Sequence, residues 1–343
     1  MFNHLLQTSA NAVFTVLVIC LAGAWMARRQ VLHKQALDDL SKLVYNLLLP
    51  CMLIGKVSHS LTIDDLAIWW ALPASALCYI AIGCVLGLGW RALAPPNPEF
   101  RRGLVAASAF GNSGFIPLTL IVAIAANAPW LANDPGSADR GIAYVSVYLL
   151  TLSPCLWAFA HPYLSGEPFS WKLVKKMFSP PVIAILAGAA IGLVPPWKAL
   201  FHGPDAYLSV LTKAADIIGQ ATIPGALLVL GGNLGKGPVG SDLRFRDVMG
   251  VSLIRFCIMP LIGIALVKFL DDHTLIPQDP VYRLVLMLQA CTPGAINLVL
   301  MCQIHGKGEK TMSSLLFWVY LLSVPIMTAW ICYFLYLVFQ VHP

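Results

Sequence analysis

The stretch RRGLVAASAFGNSGFIPLTLIVAIAAN, which covers residues 101–127, is as long as a membrane span but is interrupted at its centre. A hydrocarbon core of about 30 Å takes roughly 20 helical residues. Pro117 has no N–H and its ring clashes with the carbonyl four residues back, so the helix should open near Ser113. Backbone groups freed there cannot face lipid, and Asn112 adds an amide at the same depth. A broken span of this kind is typical of a transporter substrate site. A simple proline kink, with Gly111 and Gly114 serving close helix packing, is the alternative.

The composition defines the class of protein. The chain has 343 residues, of which 58% are hydrophobic and 11% are charged, and its mean hydropathy is +0.76. Soluble proteins carry roughly 25% charged residues, so we predict an all-α polytopic membrane protein that lies in a lipid bilayer. The net charge of +6 is small and the basic residues lie in short loops, so we expect no nucleic-acid partner. The nine cysteines lie in apolar stretches without a CxxC pair, so we expect no metal site and no cofactor.

Ten apolar segments are long enough to span a membrane. Lys and Arg alternate in abundance from loop to loop, and one set of loops holds most of them. The positive-inside rule assigns that set to the cytosol, which places both termini on the non-cytosolic side. The predicted spans are residues 8–27, 39–57, 66–90, 101–127, 140–161, 180–196, 207–235, 246–270, 280–304 and 312–339.

Matched positions in the two halves of the chain predict an internal repeat. A short cytosolic linker, 162–179, separates a first five-helix repeat, 1–161, from a second repeat, 180–343. Pro117 in the fourth span and Pro293 in the ninth are matched at an offset of 176 residues. With five spans in each half, the second repeat must be inverted, which predicts that broken helices 4 and 9 cross at the midplane. Four positions of the second span also match four of the seventh at an offset of 174: Asp39, Lys42, Asn46 and Pro50 match Lys213, Asp216, Gln220 and Pro224.

Polar residues near the predicted crossing are candidates for a substrate site. Asn112 and Asn297 would meet at mid-depth, where each amide offers two donors and two acceptor lone pairs without a full charge. The half-helix N-termini direct unpaired N–H groups to the same place, which favours an anion such as a carboxylate. Hydrogen bonding between helices is the alternative role for each amide. The candidate substrate-binding residues are Asn112, Ser113, Pro117, Pro293, Asn297, Gln289, Gln220 and Asn46.

Charged residues within spans are candidates for ion coupling. Asp39 with Lys42, and Lys213 with Asp216, are spaced i, i+3 and can therefore pair. Structural ion pairs are one interpretation, and a protonatable Asp216 coupled to transport is the other. The remaining candidates are Arg255, as a counter-ion or a snorkelling cation, and Pro50 and Pro224, as helix breaks.

GNSGFIPL in the fourth span, ATIPGALLVLGGNLGKG in the seventh and the segment from Asp279 resemble motifs of the auxin efflux carrier family, and in particular of its PIN-LIKES branch. GNSGFIPL, residues 111–118, resembles the GNxGxxPL signature of the fourth span. ATIPGALLVLGGNLGKG, residues 221–237, resembles the seventh-span motif. The segment from Asp279 is similar to the closing segment of these proteins, with Leu-Gln before the broken helix, Pro-x-Ala-x-Asn, Gln-x-x-Gly and Trp-x-Tyr.

The resemblance implies a fold like that of bile-acid symporters and sodium/proton antiporters, with crossover residues Asn112, Pro117, Pro293 and Asn297. It implies a secondary transporter, not an enzyme, that moves a small organic carboxylate such as indole-3-acetic acid by alternating access. A dicarboxylate carrier of the malate or malonate type is the alternative, as is an anion channel or receptor with the same fold. It further implies a homodimer. The endoplasmic reticulum membrane is the location it favours, and the plasma membrane is the alternative.

Overall fold

The computed structural model describes residues 2–63, 68–131, 134–166, 171–203, 206–235, 237–238 and 242–340. Within these ranges the regular structure is helical apart from one antiparallel bridge, between Gly111 and Gly294. The predicted all-helical fold class is confirmed. The α-helices are α1 (Phe2–Arg28), α2 (Lys34–Leu43), α3 (Leu49–Ser60), α4 (Ala71–Leu93), α5 (Arg101–Ala109), α6 (Phe115–Asn127), α7 (Ser137–Cys155), α8 (His161–Ser165), α9 (Trp171–Met177), α10 (Pro180–Leu193), α11 (Pro195–Phe201), α12 (Ser209–Gln220), α13 (Thr222–Leu234), α14 (Phe245–Leu253), α15 (Met259–Asp272), α16 (Pro280–Ala290), α17 (Asn297–His305) and α18 (Glu309–Gln340).

The helix lengths agree with a chain that crosses the membrane many times. Within the described ranges, seven helical segments are long and apolar enough to be spans, and α10 with α11, bent by 104°, would make an eighth. The predicted fourth and ninth spans are each split into two half-helices, α5 with α6 and α16 with α17. Each half-helix is too short to span the membrane by itself. The pattern is therefore consistent with ten spans, while the inversion of one half relative to the other stays a prediction.

Three π-helical turns precede prolines at the same spacing: Val44–Leu48 before Pro50, Leu156–Ala160 before Pro162, and Ile254–Ile258 before Pro260. A proline lacks an N–H and crowds the carbonyl four residues back, and a wider turn relieves both problems. The second span consequently runs on from Lys34 to Ser60, so the predicted break at Pro50 is wrong. At Pro224 the interruption is limited to one turn residue, Ala221, between α12 and α13.

The helices pack as two groups. In the first, which we call the scaffold group, α1 packs on α13, and α3 packs on both α10 and α12. The second, the crossover group, contains α4 to α8 and α14 to α18, including both split spans. Glycines allow the close approach of α1 and α13, since a Cβ at Gly231 would lie 1.9 Å from the Cys20 carbonyl oxygen. The two groups meet where α1 contacts α6 and α18, and where α3 and α10 contact α7.

Candidate crossover site

The breaks of the two split spans are joined by backbone hydrogen bonds. The Asn112 N–H donates to the Pro293 carbonyl at 2.6 Å, and the Ala295 N–H donates to the Phe110 carbonyl at 2.9 Å. These bonds flank the antiparallel bridge between Gly111 and Gly294. A proline kink would leave polar backbone groups without partners in the membrane, and this pairing supplies them. The structure thus brings the fourth and ninth spans together at their breaks.

Four half-helix ends converge on this bridge. Helices α5 and α16 end just before it, and α6 and α17 begin just after it. Neither α6, preceded by Gly114, nor α17, preceded by Ile296, has a side chain that caps its first N–H groups. Uncapped N-termini carry unpaired donors and a partial positive charge. The crossover therefore offers two sites of positive potential that suit an anionic group.

The buried side chain of Asn112 reaches the tenth predicted span. Its Nδ2 donates to the hydroxyl oxygen of Tyr320 at 2.7 Å, and the Tyr320 hydroxyl donates to the Gly294 carbonyl at 3.2 Å. Asn112 is only 7% exposed and Tyr320 5%. One tyrosine on α18 therefore holds both breaks in register. The sequence analysis missed its role, although the Trp-x-Tyr motif marks its position.

Arg255 also binds the break of the ninth span, at Thr292. Its Nε donates to the Thr292 carbonyl and its Nη2 donates to the Thr292 hydroxyl, both at 2.7 Å. The side chain is 2% exposed and, among the described residues, forms no ion pair with a carboxylate. A Cβ at Gly111 would lie 1.9 Å from Nη2, so only glycine leaves room for the guanidinium. Arg255 is therefore not a snorkelling cation but a part of the crossover.

Gln289 also belongs to this cluster. Its Nε2 donates to the Ser113 carbonyl at 3.2 Å, which joins the end of α16 to the break before α6. Gln289 is 1% exposed and Ser113 2%. The Gln289 Oε1 atom is buried and has no hydrogen-bond partner among the described residues. An acceptor left open in this way is available to a protonated or hydroxyl group that enters the site.

The other predicted site residues are placed differently. Pro117 is buried in the first turn of α6, and Pro293 lies in the ninth-span break, but Asn297 is exposed at the start of α17. Asn46 and Gln220 are also exposed, outside the buried cluster at the breaks, and their role in substrate binding stays a prediction. The Asn46 amide donates instead to the Lys42 carbonyl, 2.8 Å away on its own helix. A local acceptor thus takes up one of the two donors of this amide.

Apolar contacts connect the crossover to the scaffold group. Phe115, the first residue of α6, packs on a small cluster of Val44, Leu48 and Ala226. A cavity of about 80 Å³ lies between α1, α6, α13 and α18. Its described lining is almost entirely apolar and includes Tyr320, the partner of Asn112. The junction between the two helix groups thus has a polar end at the crossover and an apolar wall.

The predicted ion pairs of the second and seventh spans differ from each other. Asp39 and Lys42 pair at 3.3 Å, but both side chains are more than half exposed, so the pair contributes little. Lys213 is exposed and forms no ion pair with Asp216 among the described residues. Asp216 lies against Gly55, and its Oδ1 is buried without a hydrogen-bond partner in the described chain. Asp216 therefore sits in the scaffold group, outside the crossover.

The residues that the structure describes contain no group of three or more His, Cys, Asp or Glu side chains placed to hold a metal ion. What the site offers is uncharged amide and hydroxyl groups, helix N-termini and one buried guanidinium. Such a set binds and releases a polar solute without breaking strong coordination bonds. Two broken helices joined at their breaks, inside a bundle of long apolar helices, are typical of membrane transporters built on discontinuous helices.

The chain belongs to the membrane transport protein family, which matches residues 8–161 and 169–331. It is a multi-pass integral membrane protein. Protein PIN-LIKES 3 of Arabidopsis thaliana is 27% identical over 98% of this chain and 98% of that protein. Protein PIN-LIKES 1 of the same plant is 28% identical over 96% of this chain and 79% of that protein. An uncharacterized transporter of Saccharomyces cerevisiae is 23% identical over 95% of this chain and 94% of its own length. The resemblance to PIN-LIKES proteins is confirmed.

Proposed function

We propose that the protein is a secondary transporter that moves a small organic carboxylate, of the size and character of indole-3-acetic acid, by alternating access. The observation that carries the proposal is the Asn112–Tyr320 pair at the joined breaks, beside the apolar cavity between the two helix groups. The substrate carboxylate would bind near the uncapped N-termini of α6 and α17. The aromatic ring of the substrate would lie against the apolar lining of the cavity.

The cavity lining favours one carboxylate over two. Its described residues are apolar apart from Tyr320, Ser323 and Cys20, and none of them carries a basic side chain. A second carboxylate would be desolvated there without a cation to compensate it, which is costly. An aromatic monocarboxylate is therefore the first choice, and a malate- or malonate-type dicarboxylate is the competing substrate.

Transport would require the two helix groups to move apart. A cavity of about 80 Å³ is smaller than the roughly 300–1,000 Å³ of ligand pockets. The split spans pack within the crossover group, so that group would move as a unit against the scaffold group. Asp216, in the scaffold group, is the candidate for proton coupling. The proposal further includes a homodimer in the endoplasmic reticulum membrane with both termini on the non-cytosolic side.

The decisive experiment is uptake of radiolabelled indole-3-acetic acid into proteoliposomes, with and without an imposed proton gradient. Saturable uptake that unlabelled substrate exchanges, and that malate and malonate do not inhibit, would support the carrier and its substrate class. Uptake that depends on the proton gradient and is lost in Asp216→Asn would assign the coupling residue. Transport of malate or malonate alone would overturn the monocarboxylate, and a current that does not saturate would overturn the carrier in favour of a channel.

A further inference from the structure

A second cavity, of about 520 Å³, lies at the end of the fold where α5 begins and α17 ends. It is one half-helix, or about 13 Å, away from the crossover. The described residues that line it include four cationic side chains and one carboxylate: Arg91, Arg101, Arg102 and Lys307, with Glu99. In the described part of the chain none of the four cations forms an ion pair. The cavity therefore carries an excess of positive charge that nothing described neutralises.

The local sequence builds this arrangement from two helix ends. A 3₁₀ turn, Pro98–Phe100, leads directly into α5, whose first turn has no side-chain cap. The cavity is lined by that first turn, so the partial positive charge of the helix end adds to the charges of Arg101 and Arg102. On the other side α17 ends at His305. Gly306 follows it, and its φ of +65° turns the chain back and brings Lys307 to the cavity.

A histidine adds a free hydrogen-bonding atom. His305, in the last turn of α17, lines the cavity, and its Nε2 is buried without a hydrogen-bond partner among the described residues. Its ring packs edge-on against that of His161, with centroids 4.5 Å apart. Arg91 is held in place by a hydrogen bond of 3.2 Å from its Nη1 to the hydroxyl oxygen of Tyr163. Arg91 and His305 are thus held in place, while Arg101, Arg102 and Lys307 are exposed at the cavity.

The cavity is separate from the junction between the helix groups. Its lining comes from the end of α4, the start of α5, the end of α8, the end of α17 and the loop before α18. All of these belong to the crossover group, so a molecule bound here would touch the cytosol-facing ends of both split spans without contacting the scaffold. This site goes beyond the proposed transport function, because it lies off the path between the groups.

We propose that this cavity binds an anion that carries phosphate groups, either a free phosphorylated molecule or the headgroup of an anionic lipid. Guanidinium forks match phosphate oxygens in bidentate geometry, and three of the four cations are arginines. A ligand with one carboxylate would neutralise only one of these cations. A phosphate group carries up to two negative charges and neutralises more of them. The volume falls within the range of small-molecule sites. The basic loops around it lie on the side that the positive-inside rule assigns to the cytosol, where both sources occur.

The test measures binding on the purified full chain and needs no transport assay. Inorganic pyrophosphate is titrated at constant ionic strength while the melting temperature is recorded. A saturable rise is expected in the wild type. Arg101→Gln/Arg102→Gln should raise the half-saturating concentration at least tenfold, and Lys307→Gln, in an exposed loop, should raise it about threefold. Lys310→Gln, an exposed basic residue outside the lining, should behave as the wild type.

A second arm separates the two sources. The same variants are placed in phosphatidylcholine nanodiscs with phosphatidylinositol 4-phosphate, and the bound lipid is counted by native mass spectrometry. Saturable binding of pyrophosphate would identify a free phosphorylated molecule as the ligand. Retention of the lipid without a pyrophosphate response would identify the lipid headgroup as the ligand. Absence of both overturns the proposal, as does an equal loss in Lys310→Gln, which would show charge screening alone. Because no substrate is present, failure of the carboxylate proposal leaves this result unaffected.

Discussion

The guanidinium of Arg255 binds Thr292 twice, through the carbonyl oxygen and the hydroxyl oxygen, at 2.7 Å each. Thr292 lies just beyond the last residue of α16, where the free carbonyls of the half-helix leave a partial negative charge. The buried guanidinium satisfies the two Thr292 acceptors and lies near this partial negative charge. The crossover is thus stabilised by a charge–dipole contact rather than by an ion pair between side chains.

Arg255→Ala should destabilise the protein and abolish transport. The change leaves two buried acceptors of Thr292 unsatisfied, each at about 1–3 kcal/mol. The melting temperature in detergent measures the first effect, and uptake into proteoliposomes measures the second. Thr292→Ser keeps both oxygens and should behave as the wild type. A stable, active Arg255→Ala variant would show that the contact is dispensable.

Gly111→Ala should displace Arg255 and reduce transport at least tenfold. The new Cβ would lie 1.9 Å from Nη2 of Arg255 and 2.2 Å from the Thr292 hydroxyl oxygen. Gly114→Ala is a matched control in the same break, because its Cβ would meet only Leu149, at 3.9 Å. We expect Gly114→Ala to take up substrate at the wild-type rate and Gly111→Ala to take it up more slowly than both. Equal losses in both variants would point to the flexibility of the break instead.

Tyr320→Phe should impair transport more than it impairs folding. It removes the hydroxyl that accepts from Asn112 and donates to Gly294, a loss of about 1 kcal/mol per hydrogen bond. Asn112→Ala should abolish uptake for the same reason, with membrane insertion intact. Tyr333→Phe, on an exposed face of the same helix, serves as the control. Wild-type uptake by both Tyr320→Phe and Asn112→Ala would place the substrate elsewhere.

The scaffold group should lose stability in mild acid through His202, which follows α11 outside the spans. Burial, followed by the nearby charges of His59 and Lys198, lowers the pKa of His202 below its usual value, while Asp216 opposes the shift. Between the lowered folded pKa and the unfolded value the unfolded chain binds more protons. Stability is therefore full above about pH 6.5 and falls as the pH drops through that window.

The measurement is the melting temperature at about pH 7.5 and about pH 5.5. His202→Gln, which keeps a polar partner for the Ser58 hydroxyl 2.8 Å away, should show a smaller drop than the wild type. His273→Gln, in an exposed loop, should drop as the wild type does. The same drop in all three proteins would contradict the assignment.

Much of the fold could be predicted from the sequence because the bilayer is a demanding solvent. Apolar length defines the spans, and a proline with an amide in the middle of one span signals backbone that must find partners. Residues 110–114 and 291–296 separate the half-helices where this argument places the breaks. The sequence also pointed to Asn112, Ser113 and Gln289, which the structure buries together at the joined breaks.

The partners of those residues were decided by tertiary structure alone. Tyr320 is 208 residues from Asn112, and Thr292 is 37 from Arg255, so no local periodicity could pair them. Asn46 and Gln220 match in sequence yet are exposed, and the Asn46 amide donates to a carbonyl of its own helix. The sequence by itself determined that the fourth and ninth spans must leave the helical ladder, but it also predicted a break at Pro50 that a π-helical turn avoids. Only the packing of distant helices decided which donors and acceptors meet the freed groups, since hydrogen bonding depends on distance in space and not along the chain.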